Sequence, residues 1–141
     1  MSSSAHPRRM MTARARGAAV EDLVAARLAG LDWSILGRNV RFGRDELDIV
    51  AVDPGPPRML VIVEVRWRSR RDFGYVEETF DRAKRSRIRR ALGSMLEAGR
   101  LPDGTLLPRL ALRVDLVVVE PGASASDRPR VRHHRTALGA D

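Results

Sequence analysis

The chain has 141 residues, a net charge of +8 and no cysteine, which indicates one basic domain large enough to bury a core. The absence of cysteine excludes disulfides and thiolate metal sites. The chain also has no apolar h-region near its start and no apolar run that could span a bilayer, so a cytoplasmic protein is expected. The excess of base favours a polyanionic partner such as nucleic acid, although a base-composition bias in the source genome would explain why nearly all of it is arginine.

The first predicted elements are a helix and two short strands. The helix is predicted from about Ala18 to Ala29, where apolar residues recur at helical spacing. The strands are predicted at Trp33 to Leu36 and at Asn39 to Phe42, with a bend or bulge at Gly37 between them.

Two strand-like segments that both carry acid are the most informative part of the sequence. The first, DELDIVAV, begins at Asp45, and the second, MLVIVEVR, ends at Arg66. The Pro- and Gly-rich residues between them predict a hairpin. Because side chains alternate along a strand, Glu46 and Asp48 are expected on one face, and Glu64 is expected to share a face with Arg66. If those faces coincide, carboxylates converge beside one guanidinium.

These acids indicate a metal site. Asp48 and Glu64 lie in apolar runs, where a charge is costly to bury unless it is paired or bound to metal. Hard oxygen ligands suit Mg²⁺ or Mn²⁺, which can activate water and stabilise charge at a phosphate. Arg66 can contact a phosphate but is a poor proton acceptor. The alternatives are a solvated face for these carboxylates, a turn cap for Glu46 and a helix-start carboxylate for Glu21.

A second helix is predicted from about Thr79 to Ala98, with a basic face opposite its apolar stripe. That face is predicted to follow a phosphate backbone, although charge runs are more often simply solvated. The basic residues assigned to it are Arg82, Lys84, Arg85, Arg87, Arg89 and Arg90. Leu110 to Glu120 is predicted to be a strand with an Arg113–Asp115 ion pair. The order of these elements predicts an α/β fold, a mixed central sheet flanked by helices.

A last edge strand is predicted at Val131 to His134. His133 and His134 are adjacent and therefore point to opposite faces of that strand, so they cannot act together as metal ligands.

Taken in chain order, these segments resemble the YraN family of small bacterial proteins, which have a restriction-endonuclease-like core of the PD-(D/E)xK kind. The similarity covers roughly residues 14 to 138. It runs through GAAVE at Gly17, ILGRNVR at Ile35, DELDIVA at Asp45, VEVRWR at Val63, FG at Phe73, Lys84, RVDLVV at Arg113 and His133.

The resemblance implies a metal-dependent nuclease-like protein that acts on DNA, with a connection to repair or recombination of branched or damaged DNA. Asp48, Glu64 and residue 66 would form the site, Glu21 would support the metal, and Mg²⁺ (or Mn²⁺) would be the cofactor. The sequence departs from the family pattern at Arg66, which replaces a lysine, and at Asp45 and Val20, which replace glycines. The arginine leaves open a non-catalytic nucleic-acid-binding or repair-accessory module, since guanidinium activates water poorly.

The expected organisation is a disordered basic tail at residues 1–16 followed by a single endonuclease-like domain at 17–138. The expected partner is nucleic acid, with DNA favoured over RNA and no membrane involved. A protein partner is the remaining alternative, and no pattern in the sequence indicates the oligomeric state.

Overall fold

The residues that the structure describes form a mixed five-stranded sheet with one helix packed on each face. The computed structural model describes residues 12–69, 82–124 and 126–138. Within these ranges the elements are α1 (Ala13–Gly30), β1 (Ser34–Phe42), β2 (Asp45–Asp53), β3 (Met59–Trp67), α2 (Arg82–Ala98), β4 (Leu112–Glu120) and β5 (Arg130–His134). The predicted α/β class, a mixed central sheet flanked by helices, is confirmed.

The strands follow one another across the sheet in chain order, from β1 to β5. Neighbouring strands are antiparallel except β3 and β4, which are parallel. A parallel pair needs a crossover connection, and the segment that contains α2 provides it. The central strands β3 and β4 are buried over most of their length, which is typical of strands covered on both faces.

Helix α1 starts five residues before its predicted start. The Thr12 side chain caps it by accepting a hydrogen bond from the backbone N–H of Ala15 at 3.0 Å. Alanine and arginine, which fill the first turn, are both strong helix formers. Residues 13–16 of the predicted disordered tail therefore belong to α1, whereas residues 1–11 lie outside the described residues.

All the predicted strands are present, but β4 begins at Leu112, two residues after its predicted start. The two short strands predicted around Gly37 are a single strand, β1, in which the register with β2 shifts between Ile35 and Gly37. Hydrogen bonding to β2 on both sides of this irregularity keeps the strand continuous, so Gly37 marks a bulge and not a break. The hairpin of β2 and β3 and the edge strand β5 are confirmed.

The sheet separates two hydrophobic cores. The core under α1 includes Val24, Leu28, Ile49, Val61, Val63 and Val117. The core under α2 includes Leu47, Val50, Leu60, Ile62, Ile88 and Met95. Consecutive residues of β3 alternate between the two cores, as the two-residue period of a strand requires. Neither helix of the described chain has the length and apolar composition needed to traverse a bilayer.

Helix α2 is described from Arg82, and the first three residues of its predicted range, 79–81, lie outside the described residues. It packs on the sheet through Ile88, Ala91, Leu92 and Met95. Its end agrees with the prediction, since Gly99 has a φ of 69° and donates its N–H to the Met95 carbonyl at 2.9 Å.

A buried ion network joins β4 to β5 and confirms the predicted Arg113–Asp115 pair. Asp115 is fully buried and accepts two hydrogen bonds from Arg113, at 2.8 and 3.0 Å. His133 Nε2 lies 2.8 Å from the same carboxylate, and the Thr136 N–H donates to it at 3.0 Å. Arg113 also bonds Asp53 at the end of β2. These bonds account for His133 as a structural residue.

Candidate active site

Strand β2 changes face at Asp48. Leu47 and Val50 lie in the core under α2, whereas Ile49 lies in the core under α1. Strict alternation would place Leu47 and Ile49 on the same face, so the regular pattern is interrupted between them. Arg38 and Val40 of β1 pair with Ile49 and Leu47 of β2, and Asn39 between them has a φ of 49°, which is unusual for a strand residue. This irregularity of β2 lies at the candidate site and sets the position of the Asp48 carboxylate.

Asp48 and Glu64 are held together by reciprocal hydrogen bonds between neighbouring strands. The Val65 N–H donates to Asp48 Oδ2 at 2.8 Å, and the Asp48 N–H donates to Glu64 Oε2 at 3.3 Å. Each carboxylate thus binds the backbone of the other strand through one oxygen and keeps the second oxygen for another partner. These two acids, which are predicted on separate strands, are adjacent in the structure.

The environment of these carboxylates disfavours their charged forms. Burial raises the pKa of Asp48, and the Val65 N–H bond and the charges of Lys84 and Arg66 offset only part of that effect. Burial and then repulsion from Asp48 raise the pKa of Glu64 to about 7. The same two causes raise the pKa of Glu21 on α1 to about 7. Three acids with raised pKa values in one place are typical of a functional site.

Lys84 occupies a different place from the one predicted for it. Its Nζ lies 3.3 Å from Glu64 Oε1, and its side chain is only 22 % exposed. Lys84 precedes Ile88 and Ala91 by four and seven residues, so it continues the buried stripe of α2 toward the site. The structure therefore places Lys84 on the inward face of α2, and not on the exposed basic face.

The remaining predicted site residues lie around this centre. Arg66 is half-buried, and its positive charge acts on Asp48 by lowering its pKa. Glu21 lies near the carboxylates of Asp48 and Glu46, both of which help to raise its pKa. Arg38 Nη2 lies 4.0 Å from Glu21 Oε1 but is closer to Asp22 Oδ1, at 2.7 Å.

Asn39 links the acids of α1 and β2. With its amide NH₂ oriented by these neighbours, it donates to both oxygens of Glu21, at 3.0 and 3.2 Å, and to Glu46 Oε1 at 3.2 Å. A cleft of about 720 Å³ opens beside them. Its lining residues are Arg14, Gly17, Ala18, Glu21, Asn39, Arg41 and Glu46.

The predicted basic face of α2 is present, but its arginines differ in their contacts. Arg85 and Arg87 are exposed. Arg90 makes a two-pronged contact with Asp45, at 3.2 and 3.1 Å. Asp45 is one of the residues that depart from the family pattern, and here it ties α2 to the start of β2. Arg85 and Arg87 remain the best-placed candidates for a phosphate backbone.

The donor set fits a hard divalent cation. Glu64 Oε1 is buried and accepts no hydrogen bond from the described residues, although the Lys84 ammonium lies at ion-pair distance. Asp48 and Glu64 together offer the oxygen ligands that Mg²⁺ prefers. No group of three or more Asp, Glu, His or Cys side chains within 12–69, 82–124 and 126–138 is arranged so that it could hold a metal ion. Mg²⁺ commonly keeps several waters, so two protein carboxylates are a sufficient set.

Two residues lie where the sequence pattern does not predict them. The run of neighbouring charges predicts Lys84 on the basic face, although its spacing from Ile88 and Met95 matches the buried stripe. The strand pattern and the family segment at Ile35 include Asn39 but assign it no contact with Glu21, although asparagine is disfavoured in strands and tolerates positive φ. Both signals were present in the sequence.

Comparison with known proteins identifies the family. The model of the uncharacterised protein family UPF0102 matches residues 20–119. A UPF0102 protein of Mycobacterium sp. (strain KMS) is 37% identical over 127 residues, which cover 90% of this chain and 87% of that protein. One from Moorella thermoacetica is 44% identical over 94 residues, 64% of this chain and 76% of that protein.

A further relative, from Sorangium cellulosum, is 45% identical over 78 residues, but the match spans only 55% of this chain and 52% of that protein. The family match spans β2, β3 and α2 in full, the two strands and the helix that carry Asp48, Glu64 and Lys84. The chain therefore belongs to UPF0102, the YraN family.

Proposed function

We propose that this protein is a nuclease-like protein that hydrolyses phosphodiester bonds of DNA with the help of a divalent cation. The observation that carries the proposal is the pair of interlocked carboxylates, half-buried Asp48 and buried Glu64, with a lysine and an arginine beside them. The order of helices and strands is consistent with the restriction-endonuclease-like core that the sequence resemblance implies. The net charge of +8 and the arginines of α2 favour a polyanionic substrate.

The role proposed for each residue is based on its position in the candidate site. Asp48 and Glu64 would hold Mg²⁺ or Mn²⁺, and Glu21 would support it from α1. When bound, such a cation supplies an activated water and neutralises charge at the phosphate. Arg66, on the same strand as Glu64, would contact the phosphate, because a guanidinium binds phosphate oxygens well and keeps its proton. Arg85 and Arg87 would hold the substrate backbone.

A second candidate is a nucleic-acid-binding or repair-accessory module that does not cleave. Arg66 favours it, since the family pattern has a lysine there and a guanidinium does not accept a proton in proteins. This module would bind DNA with strong salt dependence and leave it intact.

One experiment separates the two candidates. Labelled duplex, branched, damaged and single-stranded DNA is incubated with the full chain in Mg²⁺, Mn²⁺ or a chelator, and the products are resolved on a denaturing gel. The nuclease proposal expects cleavage of at least one substrate that requires the cation, and branched or damaged DNA is the expected class. Binding without cleavage in either cation would favour the accessory module and contradict the nuclease proposal.

The contribution of α2 is tested by the salt dependence of DNA binding. Replacing Arg85 and Arg87 together by glutamine is expected to reduce the slope of log affinity against log salt by about 1 to 2, close to 0.9 for each lost phosphate contact. Fluorescence anisotropy on a labelled duplex measures that slope. The control is Arg109→Gln, which removes one arginine charge from the exposed loop before β4. Equal slopes for the double variant and wild type would show that Arg85 and Arg87 of α2 do not contact the phosphate backbone.

A further inference from the structure

We propose that Lys84 is the lysine of this site. Its ammonium neutralises Glu64 when no divalent cation is bound, and it contacts the phosphodiester when a cation occupies that carboxylate. This inference rests on the proposed function. It places Lys84 of α2 in the reaction centre, whereas the family pattern has its lysine at position 66 of β3.

The geometry puts Lys84 beside the carboxylates, on the inward face of α2. Its Nζ lies 3.3 Å from Glu64 Oε1, and Lys84 acts on Asp48 as well, by lowering its pKa. Glu64 is fully buried, whereas the lysine side chain is 22 % exposed. The lysine side chain therefore contacts Glu64 and keeps part of its surface accessible to a ligand.

Composition supports the same assignment. Lys84 is the only lysine among the 26 basic residues of the chain. Everywhere else the chain uses arginine, including position 66 of β3. An ammonium is a compact point charge with three donors, whereas a guanidinium is a planar fork, so the two are not interchangeable beside a buried carboxylate. The one ammonium group that any side chain supplies lies against the most deeply buried acid of the site.

A cation bound to Glu64 and the Lys84 ammonium compete for the same carboxylate oxygen. Like charges repel, so Lys84 is expected to weaken cation binding in the absence of substrate. A phosphodiester reverses that effect, because its anionic oxygens attract the ammonium. Lys84 thus favours the cation and the substrate when they are bound together over the cation alone.

Binding of Mn²⁺ alone to the full chain tests the first half of this inference without any substrate. Electron paramagnetic resonance of free Mn²⁺ gives the affinity for wild type and for Lys84→Met. Loss of the competing charge is expected to tighten Mn²⁺ binding on the order of tenfold. Arg109→Met is the matched control and is expected to bind Mn²⁺ as wild type does. Unchanged or weaker binding in Lys84→Met, or no binding by either protein, would overturn the inference.

DNA cleavage tests the second half of the inference, the contact of Lys84 with the phosphodiester. On the substrate that wild type cuts, Lys84→Met is expected to lower kcat on the order of a hundredfold, as for loss of one charge-stabilising donor. Lys84→Arg keeps the charge and the fold, so it is expected to bind Mn²⁺ as wild type does but to cut more slowly. Equal cleavage by wild type and Lys84→Arg would overturn the inference even if Lys84→Met does not fold. If wild type binds Mn²⁺ but cuts nothing, the proposed function fails, while the Mn²⁺ comparison still decides whether Lys84 is the counter-ion of Glu64.

Discussion

Asp48→Asn is expected to abolish cation-dependent cleavage while the protein stays folded. The amide keeps an oxygen that can accept the Val65 N–H bond, which is 2.8 Å in the wild type, so the strand geometry is retained. It removes the negative charge that would hold the cation. A bound divalent cation contributes several kcal/mol to the transition state, so the expected loss of kcat is on the order of a thousandfold.

Single-turnover cleavage in Mg²⁺ measures the effect, and far-UV circular dichroism checks the fold. The matched control is Asp103→Asn, which changes an exposed carboxylate in the loop after α2 and keeps an acceptor for the Thr105 N–H. Asp103→Asn is expected to cleave at the wild-type rate. Wild-type cleavage by Asp48→Asn would exclude Asp48 as a ligand of the catalytic cation.

Asp115→Asn is expected to be the most destabilising conservative change in the described chain. Asp115 is fully buried and is bonded to Arg113, His133 and the Thr136 backbone. Removing its charge takes away one of the two carboxylates that bind Arg113 and leaves Asp53 as the other. Breaking a buried pair in this way costs about 3 to 5 kcal/mol in the free energy of unfolding. Urea unfolding at neutral pH measures the loss.

The contribution of Asp115 to the free energy of unfolding also depends on pH, and it decreases in acid. Hydrogen bonds from His133 and Arg113 outweigh burial and lower the pKa of Asp115 below its ordinary 3.8. Its contribution to stability is therefore present above pH 3.8 and is lost as the pH falls through the folded-state pKa. The difference between wild type and Asp115→Asn is expected to shrink in that acid range.

The control for Asp115 is Asp32→Asn, in an exposed position with a φ of 69°. Asparagine tolerates that backbone conformation, so the expected change in the free energy of unfolding is within about 0.5 kcal/mol. A loss below about 1 kcal/mol for Asp115→Asn would show that the ion network adds little to stability.

Most of the fold could be predicted because its signals are local. The hairpin of β2 and β3 follows from two alternating or apolar runs around a turn, and the Arg113–Asp115 pair follows from a spacing of two along a strand. The start of α1 was misplaced because its signal is a single capping residue, Thr12. The continuity of β1 was missed because it depends on hydrogen bonds to β2, which lie outside the segment itself.

The candidate site could be predicted only in part. Asp48 and Glu64 stand out in the sequence because each is an acid in an apolar run. Their mutual contact depends on the register of β2 and β3, and the face of β2 changes just at Asp48, which a two-residue period does not anticipate. The inward position of Lys84 depends on the packing of α2, and helical spacing alone did not outweigh a run of neighbouring charges.

Because Lys84 is the only lysine of the chain, amine reagents can modify a single side chain. Apart from the amino terminus, the chain offers one aliphatic amine to acylating, carbamylating or methylating reagents, and it lies beside Glu64. Any such modification that removes the positive charge alters the candidate site and no other side chain. Reductive methylation with ¹³C would likewise give one side-chain resonance, so the site carries its own spectroscopic label. In a protein with arginine at every other basic position, the reactive amine and the candidate reaction centre coincide.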